Sequence, residues 1–95
     1  MKLQYDPSFI KKLKKADVKI RRAFEKQLVI FLKNPFDLQL NNHKLHEEYI
    51  GLRSIDITAD YRAIYEEVQM EDGEIAYFTI LGTHKELYRH YSQEN

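Results

Sequence analysis

The clearest pattern in the chain is a helical spacing of apolar residues in its first third. Within the stretch 18–33, apolar side chains recur at intervals of four, four and three, at Ile20, Phe24, Leu28 and Phe31. This spacing places them on one face of a helix and leaves the charged residues to the other faces. We therefore predict an amphipathic helix whose apolar face packs on the rest of the fold.

Capping residues predict the ends of this helix and of a shorter one before it. Asp6 followed by Pro7 is typical of an N-cap and a first helical position, and the shorter helix is predicted to continue through Ala16. Asp17 is a second N-cap, and Pro35 ends the longer helix because it disfavours helical geometry in the residue before it. Since the link is so short, we predict two antiparallel helices.

The remaining apolar pattern predicts β-strands. Alternation in Lys2–Tyr5 indicates a short edge strand at the start of the chain. Three further strands are predicted over Tyr49–Ile57, Tyr61–Val68 and Ile75–Leu81. The last of these is the most apolar, so we predict that it is the most central strand of the sheet.

Turn residues divide these strands. The run Glu-Asp-Gly-Glu at 71–74 is a hairpin signal, Gly82 is predicted to end the last strand, and Lys85–Tyr91 is predicted to form one or two helical turns. The order β-α-α-β-β-β predicts an α+β fold, with two N-terminal antiparallel helices packed on an antiparallel sheet of three to four strands. A chain of 95 residues is enough for one domain, so residues 1–95 are predicted to form a single domain.

The composition of the chain indicates where in the cell it is located. The chain has no cysteine, which excludes disulfides and thiolate metal sites. No apolar run approaches the roughly 20 residues of a membrane helix, and the first residues lack the apolar core of a signal peptide. We expect a cytoplasmic protein without a membrane partner.

The formal net charge is zero, but the two signs are separated along the chain. Residues 1–35 carry ten Lys/Arg and three Asp/Glu, whereas residues 36–95 carry five and twelve. A basic N-terminal third could attract a polyanion, or it could simply be the solvated face of Lys-rich helices.

Three short stretches combine strand residues with side chains that can bind or cut a phosphodiester. They are His43-Lys44-Leu45-His46, Asp60-Tyr61-Arg62-Ala63-Ile64-Tyr65-Glu66 and Leu81-Gly82-Thr83-His84-Lys85-Glu86-Leu87-Tyr88. The second resembles the "DYR-x-IYE" strand of RelE-like toxins, and the third resembles the "GTH-x-x-L-aromatic" ending of YafQ-like toxins. His43 with the Leu two residues later, and the Gly-Leu-Arg run at 51–53, also resemble YafQ-like positions. The chain is similar over nearly its whole length to the RelE/ParE superfamily of toxins from type II toxin–antitoxin systems.

The resemblance implies a function and partners. RelE-like and YafQ-like members are endoribonucleases that cleave mRNA, usually in the ribosomal A site, and so inhibit translation. A cognate antitoxin blocks such a toxin by wrapping it, with a helix or strand laid over the basic helices or the sheet edge. We therefore expect mRNA, in association with the ribosome, and an antitoxin as partners. The toxin alone is expected to be a monomer, and no cofactor or metal is expected.

Metal-free RNA cleavage dictates which residue types are needed. The 2′-OH of the substrate attacks, so one group must take its proton, another must protonate the leaving 5′ oxygen, and a third must stabilise charge on the phosphate. Histidine suits both proton transfers and arginine suits the phosphate. His43 is thus a candidate for proton transfer, and Arg62 is the candidate for phosphate. His84 is a candidate general acid or phosphate ligand, or it could be a loop histidine that caps backbone groups. Alternatively, Arg62 could pair with a carboxylate on a neighbouring strand. His46, which has no counterpart in the family, is expected to be a surface residue.

Five further residues complete the candidate site through the resemblance. Asp60 could orient a histidine, act as a base or serve the strand turn. Tyr88 could act at the catalytic site by stacking on a base or binding a phosphate, or it could pack the last turn onto the core. Arg53 could hold the substrate backbone or brace Asp60. Tyr61 could stack on a base or belong to the core, and Lys85 is a substrate-binding candidate.

Asp56 departs from the pattern of the family. YafQ-like toxins carry a second histidine at this place, on the strand that starts at Arg53. An exposed carboxylate titrates at about pH 4, which makes it a poor base at neutral pH, so the general base stays open and Asp56 is kept as a substrate-binding candidate.

Two alternatives to the nuclease also stay open. One is a ParE-like inhibitor of DNA gyrase without RNA chemistry, and the other is a degenerate scaffold that only binds its antitoxin.

Overall fold

Two helices and a five-stranded sheet form most of the described part of the chain, residues 1–88 of a computed structural model. The elements in chain order are β1 (Lys2–Tyr5), α1 (Pro7–Lys15), α2 (Val18–Lys33), β2 (His43–Lys44), β3 (Arg53–Asp56), β4 (Tyr61–Met70), β5 (Gly73–Thr83) and α3 (His84–Leu87). The predicted α+β class is confirmed. The part of the predicted C-terminal turn beyond residue 88 lies outside the described residues.

The helices begin where the sequence predicts. The Asp6 carboxylate accepts the backbone N–H of Ser8 at 2.9 Å, and Asp17 accepts that of Lys19 at 2.8 Å, so both aspartates act as N-caps. The hydroxyl of Ser8 also donates to Asp6, and this bond is the first cause of the lowered pKa of that carboxyl. The longer helix has the predicted bounds, and the shorter one ends one residue early, with Ala16 as its C-cap.

The sheet is mixed rather than antiparallel, which corrects the prediction. Its strand order is β1-β5-β4-β3-β2, and β1 pairs parallel with β5 while the other pairs are antiparallel. Both helices lie between β1 and the later strands in sequence, and a connection of that length permits parallel pairing where a tight turn does not. β1 is an edge strand as predicted, but the middle strand is β4 and not β5.

Two strand boundaries also differ from the prediction. β3 starts only at Arg53, because the preceding residues form a 3-10 turn at Glu47–Tyr49 and pass through Gly51, whose φ is 89°. Gly82 does not end β5: it pairs with Arg62 inside the strand. A Cβ atom at Gly82 would lie 3.3 Å from a side-chain carbon of Leu87, so this glycine allows α3 to approach the strand closely. The 71–74 hairpin is confirmed.

Phe78 on β5 is the centre of the core between the sheet and the helices. Its ring contacts five other aromatic rings at centroid distances of 5.2 to 5.8 Å. These rings come from β1, both helices and β4; they are Tyr5, Phe9, Phe24, Phe31 and Tyr65. Contacts between rings at this spacing add to the hydrophobic gain of burial.

A smaller apolar cluster covers the other face of the sheet, which we call the second face. Its buried members are Leu45, Ile64, Leu87 and Tyr88, and Tyr49, Leu52 and Ile80 pack against them. Because the members come from α3, β4, β5 and the segments beside β2 and β3, the cluster holds α3 against the sheet on the side away from the long helices.

Replacing the central ring tests this account of the core. Phe78→Ala is expected to lower the free energy of unfolding by about 3–5 kcal/mol, because it removes a fully buried ring and leaves a cavity. Phe78→Leu retains more volume and is expected to cost less. Urea unfolding measures both. The control is Leu38→Ala, since Leu38 is 95% exposed and its loss is expected to change stability by less than about 0.5 kcal/mol. A loss below about 1 kcal/mol for Phe78→Ala would contradict the central role of this ring.

Candidate functional site

The start of β4 sends consecutive side chains to opposite faces of the sheet. Tyr61 packs against the helix-side core, whereas Arg62 lies on the second face, as does Ile64 two residues later. The sequence predicted this opposition of Tyr61 and Arg62, and the structure confirms it.

Arg62 is held by its own strand turn. Its Nε lies 3.1 Å from Oδ1 of Asp56, its cross-strand partner, and its Nη1 donates to the carbonyl oxygens of Thr58, Ala59 and Tyr61 at 3.0, 3.2 and 3.1 Å. The Arg62 side chain is only 14% exposed and that of Asp56 28%. The guanidinium therefore braces the turn between β3 and β4 and shares its charge with Asp56. This arrangement matches the alternative prediction for Arg62, in which it pairs with a carboxylate on a neighbouring strand.

His84 stands at the first position of α3, exposed to solvent. Its backbone N–H donates to the carbonyl of Asp60 at 2.7 Å, which ties the start of α3 to the same β3–β4 turn that Arg62 braces. The imidazole packs on the Tyr88 ring at a centroid distance of 4.7 Å. The structure thus brings His84, Asp60 and Arg62 to one end of the sheet.

A capping box fixes α3 and with it the direction of His84. The Thr83 hydroxyl accepts the backbone N–H of Glu86 at 3.1 Å, and the Glu86 carboxylate accepts the backbone N–H of Thr83 at 2.9 Å. The Thr83 hydroxyl also donates to the Glu86 carboxylate at 3.0 Å. The backbone N–H of Thr83 first, then this hydroxyl and nearby Lys12, lower the pKa of the Glu86 carboxyl. The Thr-x-x-Glu pattern is visible in the sequence, although the sequence reasoning did not use it.

Tyr88 is a buried residue of the second face. It is 9% exposed and packs edge-on against Tyr49 at a centroid distance of 6.1 Å. Its position in the apolar cluster matches the alternative in which it packs the last turn onto the core. The aromatic group that solvent can reach at this end of the second face is the imidazole of His84.

Asp60 and Lys85 are the exposed charges beside His84. Within residues 1–88, the carboxylate of Asp60 makes no hydrogen bond or ion pair, while its backbone N–H donates to the Thr58 hydroxyl at 3.2 Å. The same hydroxyl accepts the N–H of Tyr61 at 3.0 Å. Thr58 therefore organises the turn that carries Asp60 and Arg62, a role that the sequence reasoning missed.

His43 lies apart from these residues, on the edge strand β2. β2 is three strand positions from β5, which corresponds to roughly 14 Å at the usual strand spacing. The Nδ1 atom of His43 is 2.8 Å from the carbonyl oxygen of Asn41. A carbonyl can only accept, so this contact requires a proton on Nδ1 and leaves Nε2 of a neutral ring free to accept one.

Arg53 does not brace Asp60, which corrects that alternative. Its Nε donates to the side-chain oxygen of Asn42 at 2.8 Å, and its guanidinium lies over the ring of Phe36, 5.0 Å from the centroid. Its pairing with Tyr65 puts it on the helix side of the sheet, away from Arg62.

Residues 1–88 hold no group of three or more His, Asp or Glu side chains placed to bind a metal ion. Over the same range, no helix is both long and apolar enough to cross a membrane.

Comparison with known proteins gives likenesses of structure. The sequence matches no protein-family model, and no curated protein matches it significantly. Among solved structures, the chain is similar to a YoeB/ParE toxin from Agrobacterium tumefaciens, with a TM-score of 0.72, 18% identity and coverage of 88% of this chain and 99% of that one. It is similar to YafQ from E. coli strain BL21(DE3), with a TM-score of 0.70, 21% identity and coverage of 90% and 96%.

A third neighbour is archaeal RelE in complex with RelB from Pyrococcus horikoshii OT3, with a TM-score of 0.65, 18% identity and coverage of 86% and 92%. YafQ from E. coli has also been solved in a DinJ-YafQ toxin–antitoxin complex. The chain therefore shares the fold of these proteins over almost its whole length.

A double-mutant cycle tests the pairing of Arg62 with Asp56. We expect Arg62→Ala to destabilise the protein more than Asp56→Ala, because it also releases the three carbonyls of the turn. The coupling free energy is expected to be about 1 kcal/mol, a value discounted for the partial exposure of both side chains. Urea unfolding of the two single variants and the double variant measures it. Additive losses would contradict an energetic link between these two side chains.

Acidification tests the capping box. The folded-state pKa of Glu86 is lowered from 4.5, so its contribution to stability is present above that value and is lost as the pH falls through the folded-state pKa. Glu86→Gln keeps an acceptor for Thr83 but has no charge. We expect it to lower the melting temperature at pH 7, and we expect the difference from wild type to shrink as the pH falls below 4.5. Thermal unfolding followed across this range checks both, and a difference independent of pH would contradict the assignment.

Proposed function

We propose that this chain, which has the fold of the RelE/ParE toxin superfamily, is the toxin of a type II toxin–antitoxin system and cleaves mRNA. The fold neighbours support the first part: a YoeB/ParE toxin, YafQ and RelE, with YafQ also solved in a toxin–antitoxin complex. The expected partners are a cognate antitoxin and mRNA in association with the ribosome, and the expected setting is the cytoplasm.

The observation that carries the second part is the meeting of three functional groups at one turn. Asp60 lies in the β3–β4 turn, its carbonyl binds the backbone of His84, and Arg62 braces the same turn. Attack by a ribose 2′-OH needs a base, an acid and a positive charge on the phosphate, and a carboxylate, an imidazole and a guanidinium can supply these three. This constellation has no evident role in a ParE-like gyrase inhibitor.

The chemistry assigns a role to each group. The 2′ oxygen attacks the adjacent phosphorus as its proton passes to a base, and the bond from phosphorus to the 5′ oxygen breaks as that oxygen receives a proton. The products are a 2′,3′-cyclic phosphate and a free 5′-OH. We assign protonation of the 5′ oxygen to His84, which is exposed at the start of α3, and phosphate stabilisation to Arg62, helped by Lys85.

The base is assigned by geometry. The backbone N–H of His84 binds the carbonyl of Asp60, whereas His43 lies on β2, three strand positions or roughly 14 Å from β5 across the sheet. A candidate base has to reach the proton before its basicity matters. We place proton removal on Asp60 because of its position, whereas ordinary basicity favours a histidine over an exposed carboxylate. His43, with Nε2 free to accept a proton, is the alternative if β2 moves towards α3 when RNA binds.

One observation favours a second function. The guanidinium of Arg62 is paired with Asp56 and bonded to three carbonyls, so phosphate must compete for it. An arginine committed in this way fits a degenerate scaffold that binds its antitoxin and no longer cleaves RNA. The two functions predict different outcomes on induction.

Induction in a bacterial host separates them. Wild type is expected to arrest growth and to create new mRNA 5′ ends, while His84→Ala and Asp60→Asn are expected to lower the cleavage rate by about 100-fold or more. His46→Ala is the matched control, because His46 is an exposed histidine distant from α3 in sequence and is expected to keep full activity. Growth and mapped mRNA 5′ ends are the readouts.

Two other outcomes exclude the nuclease, and a third changes the residue that acts as its base. Arrest without new mRNA ends, unchanged in both variants, would indicate gyrase or another target. Absence of arrest in wild type, at an expression level confirmed by blotting, would indicate the degenerate scaffold. Loss of cleavage in His43→Ala but not in Asp60→Asn would move the base to His43.

A further inference from the structure

A cleft of about 380 Å³ opens between α1 and the start of β4. We call it the lysine cleft; its lining residues are Ser8, Lys11, Lys12, Lys15, Ala16 and Tyr61. Its volume is in the range of sites that bury a small ligand. It lies on the helix side of the sheet, so the candidate cleaving residues on the second face do not line it.

The lysine cleft brings together positive charges that repel one another. Lys11 and Lys15 are one helical turn apart, where two like charges repel. Lys12 contacts Glu86 at 3.5 Å, but both side chains are about half exposed, and such a surface pair contributes little. Within residues 1–88, Lys11 and Lys15 make no ion pair, so the cleft offers their two ammonium groups and a weakly paired third to a ligand that carries several negative charges.

Tyr61 adds an aromatic ring to this charge. It is half-buried against the core and lines the cleft, so one part of it is anchored and another part meets solvent. Proteins that bind single-stranded nucleic acid combine a basic groove with aromatic rings on which bases stack. In the lysine cleft, the lysines of α1 supply the positive charge and Tyr61 of β4 supplies the ring.

We propose that the lysine cleft binds single-stranded RNA next to the cleavage site, with the lysines on backbone phosphates and a base stacked on Tyr61. This inference rests on the proposed function and extends it to a second subsite. Tyr61 lies between Asp60 and Arg62 in sequence, so its Cα atom is about 4 Å from the Cα atom of each. A strand cut at the turn can therefore continue around the end of β4 into the cleft.

The lining favours RNA over an acidic peptide. An extended peptide gains affinity by pairing its main chain with an exposed strand edge. The cleft is instead formed by a helix, whose interior backbone groups are already bonded, and by β4, the middle strand of the sheet. It presents ammonium groups, a hydroxyl and a ring, which match phosphates and a base.

The test measures RNA binding without cleavage. The probe is a fluorescent oligouridylate of about 12 nucleotides with 2′-O-methyl riboses, which lack the attacking hydroxyl. Anisotropy titrations between about 50 and 200 mM salt compare wild type, Lys11→Ala with Lys15→Ala, and Tyr61→Leu. The matched control replaces two exposed lysines of α2, Lys19→Ala with Lys26→Ala. Tyr61→Phe retains the ring, and circular dichroism of Tyr61→Leu checks that any loss of binding is not a folding defect.

The expected results distinguish charge from stacking. The lysine double variant should bind roughly tenfold more weakly at low salt and should lower the slope of log K against log salt by about 1.4, for two lost phosphate contacts. Tyr61→Leu should bind about fivefold more weakly or worse with the slope unchanged, and Tyr61→Phe should bind like wild type. The α2 control should retain the wild-type slope to within a few tenths.

Three results would overturn the inference. They are no binding by wild type, equal losses in the control and cleft variants, and an unchanged affinity and slope in the lysine double variant. If that last variant instead loses binding of a synthetic Glu-rich peptide, the cleft is a peptide site. Because the probe cannot be cut, these outcomes are independent of nuclease activity. Cleavage by wild type with no effect of the cleft variants refutes this inference alone, whereas cleft-dependent binding without cleavage refutes the proposed nuclease alone.

Discussion

The packing of Phe78 is the interaction on which the other features of this molecule depend. Its ring is in contact with rings from β1, both long helices and β4, so it fixes where β5 lies relative to every large element. β5 then continues to Gly82 and Thr83, where the missing Cβ and the capping box set the start of α3. The position of His84 is therefore determined by a core residue six positions before it. Burial of Phe78 thus helps to fix where β5 ends and α3 begins.

The pair formed by Arg62 and Asp56 shows how a structural role limits what a side chain can offer to a ligand. Three carbonyls and a carboxylate surround the guanidinium, which stabilises the β3–β4 turn and reduces the positive charge that it presents to solvent. A neutral or basic side chain at position 56 would leave more of that charge free. The charge at this end of the sheet thus depends on a residue of the neighbouring strand.

The sequence was sufficient for the local features and insufficient for the spatial ones. The N-caps Asp6 and Asp17 and the spacing of apolar residues in α2 are local signals, and the structure has them as predicted. The parallel pairing of β1, the 14% exposure of Arg62 and the placement of His43 on a strand three positions from β5 depend on long-range packing, which no spacing along the chain encodes. Gly82 was misjudged for a related reason: its role is a close contact with Leu87, five residues later, and not a break in the strand.

The alternation of side chains at the start of β4 also limits how the length of this chain can vary. Tyr61 and Arg62 face opposite sides because consecutive strand residues alternate, and the register of β4 sets which of them faces the helices. An inserted residue that shifted this register by one would exchange the two faces and place a charge in the aromatic core. Residues 71 and 72 are instead an exposed loop tip at the far end of the same strands, where an insertion can extend into solvent. Peptide tags, fluorescent labels or whole inserted modules would therefore be accepted at that tip, while the opposite turn has to keep its length.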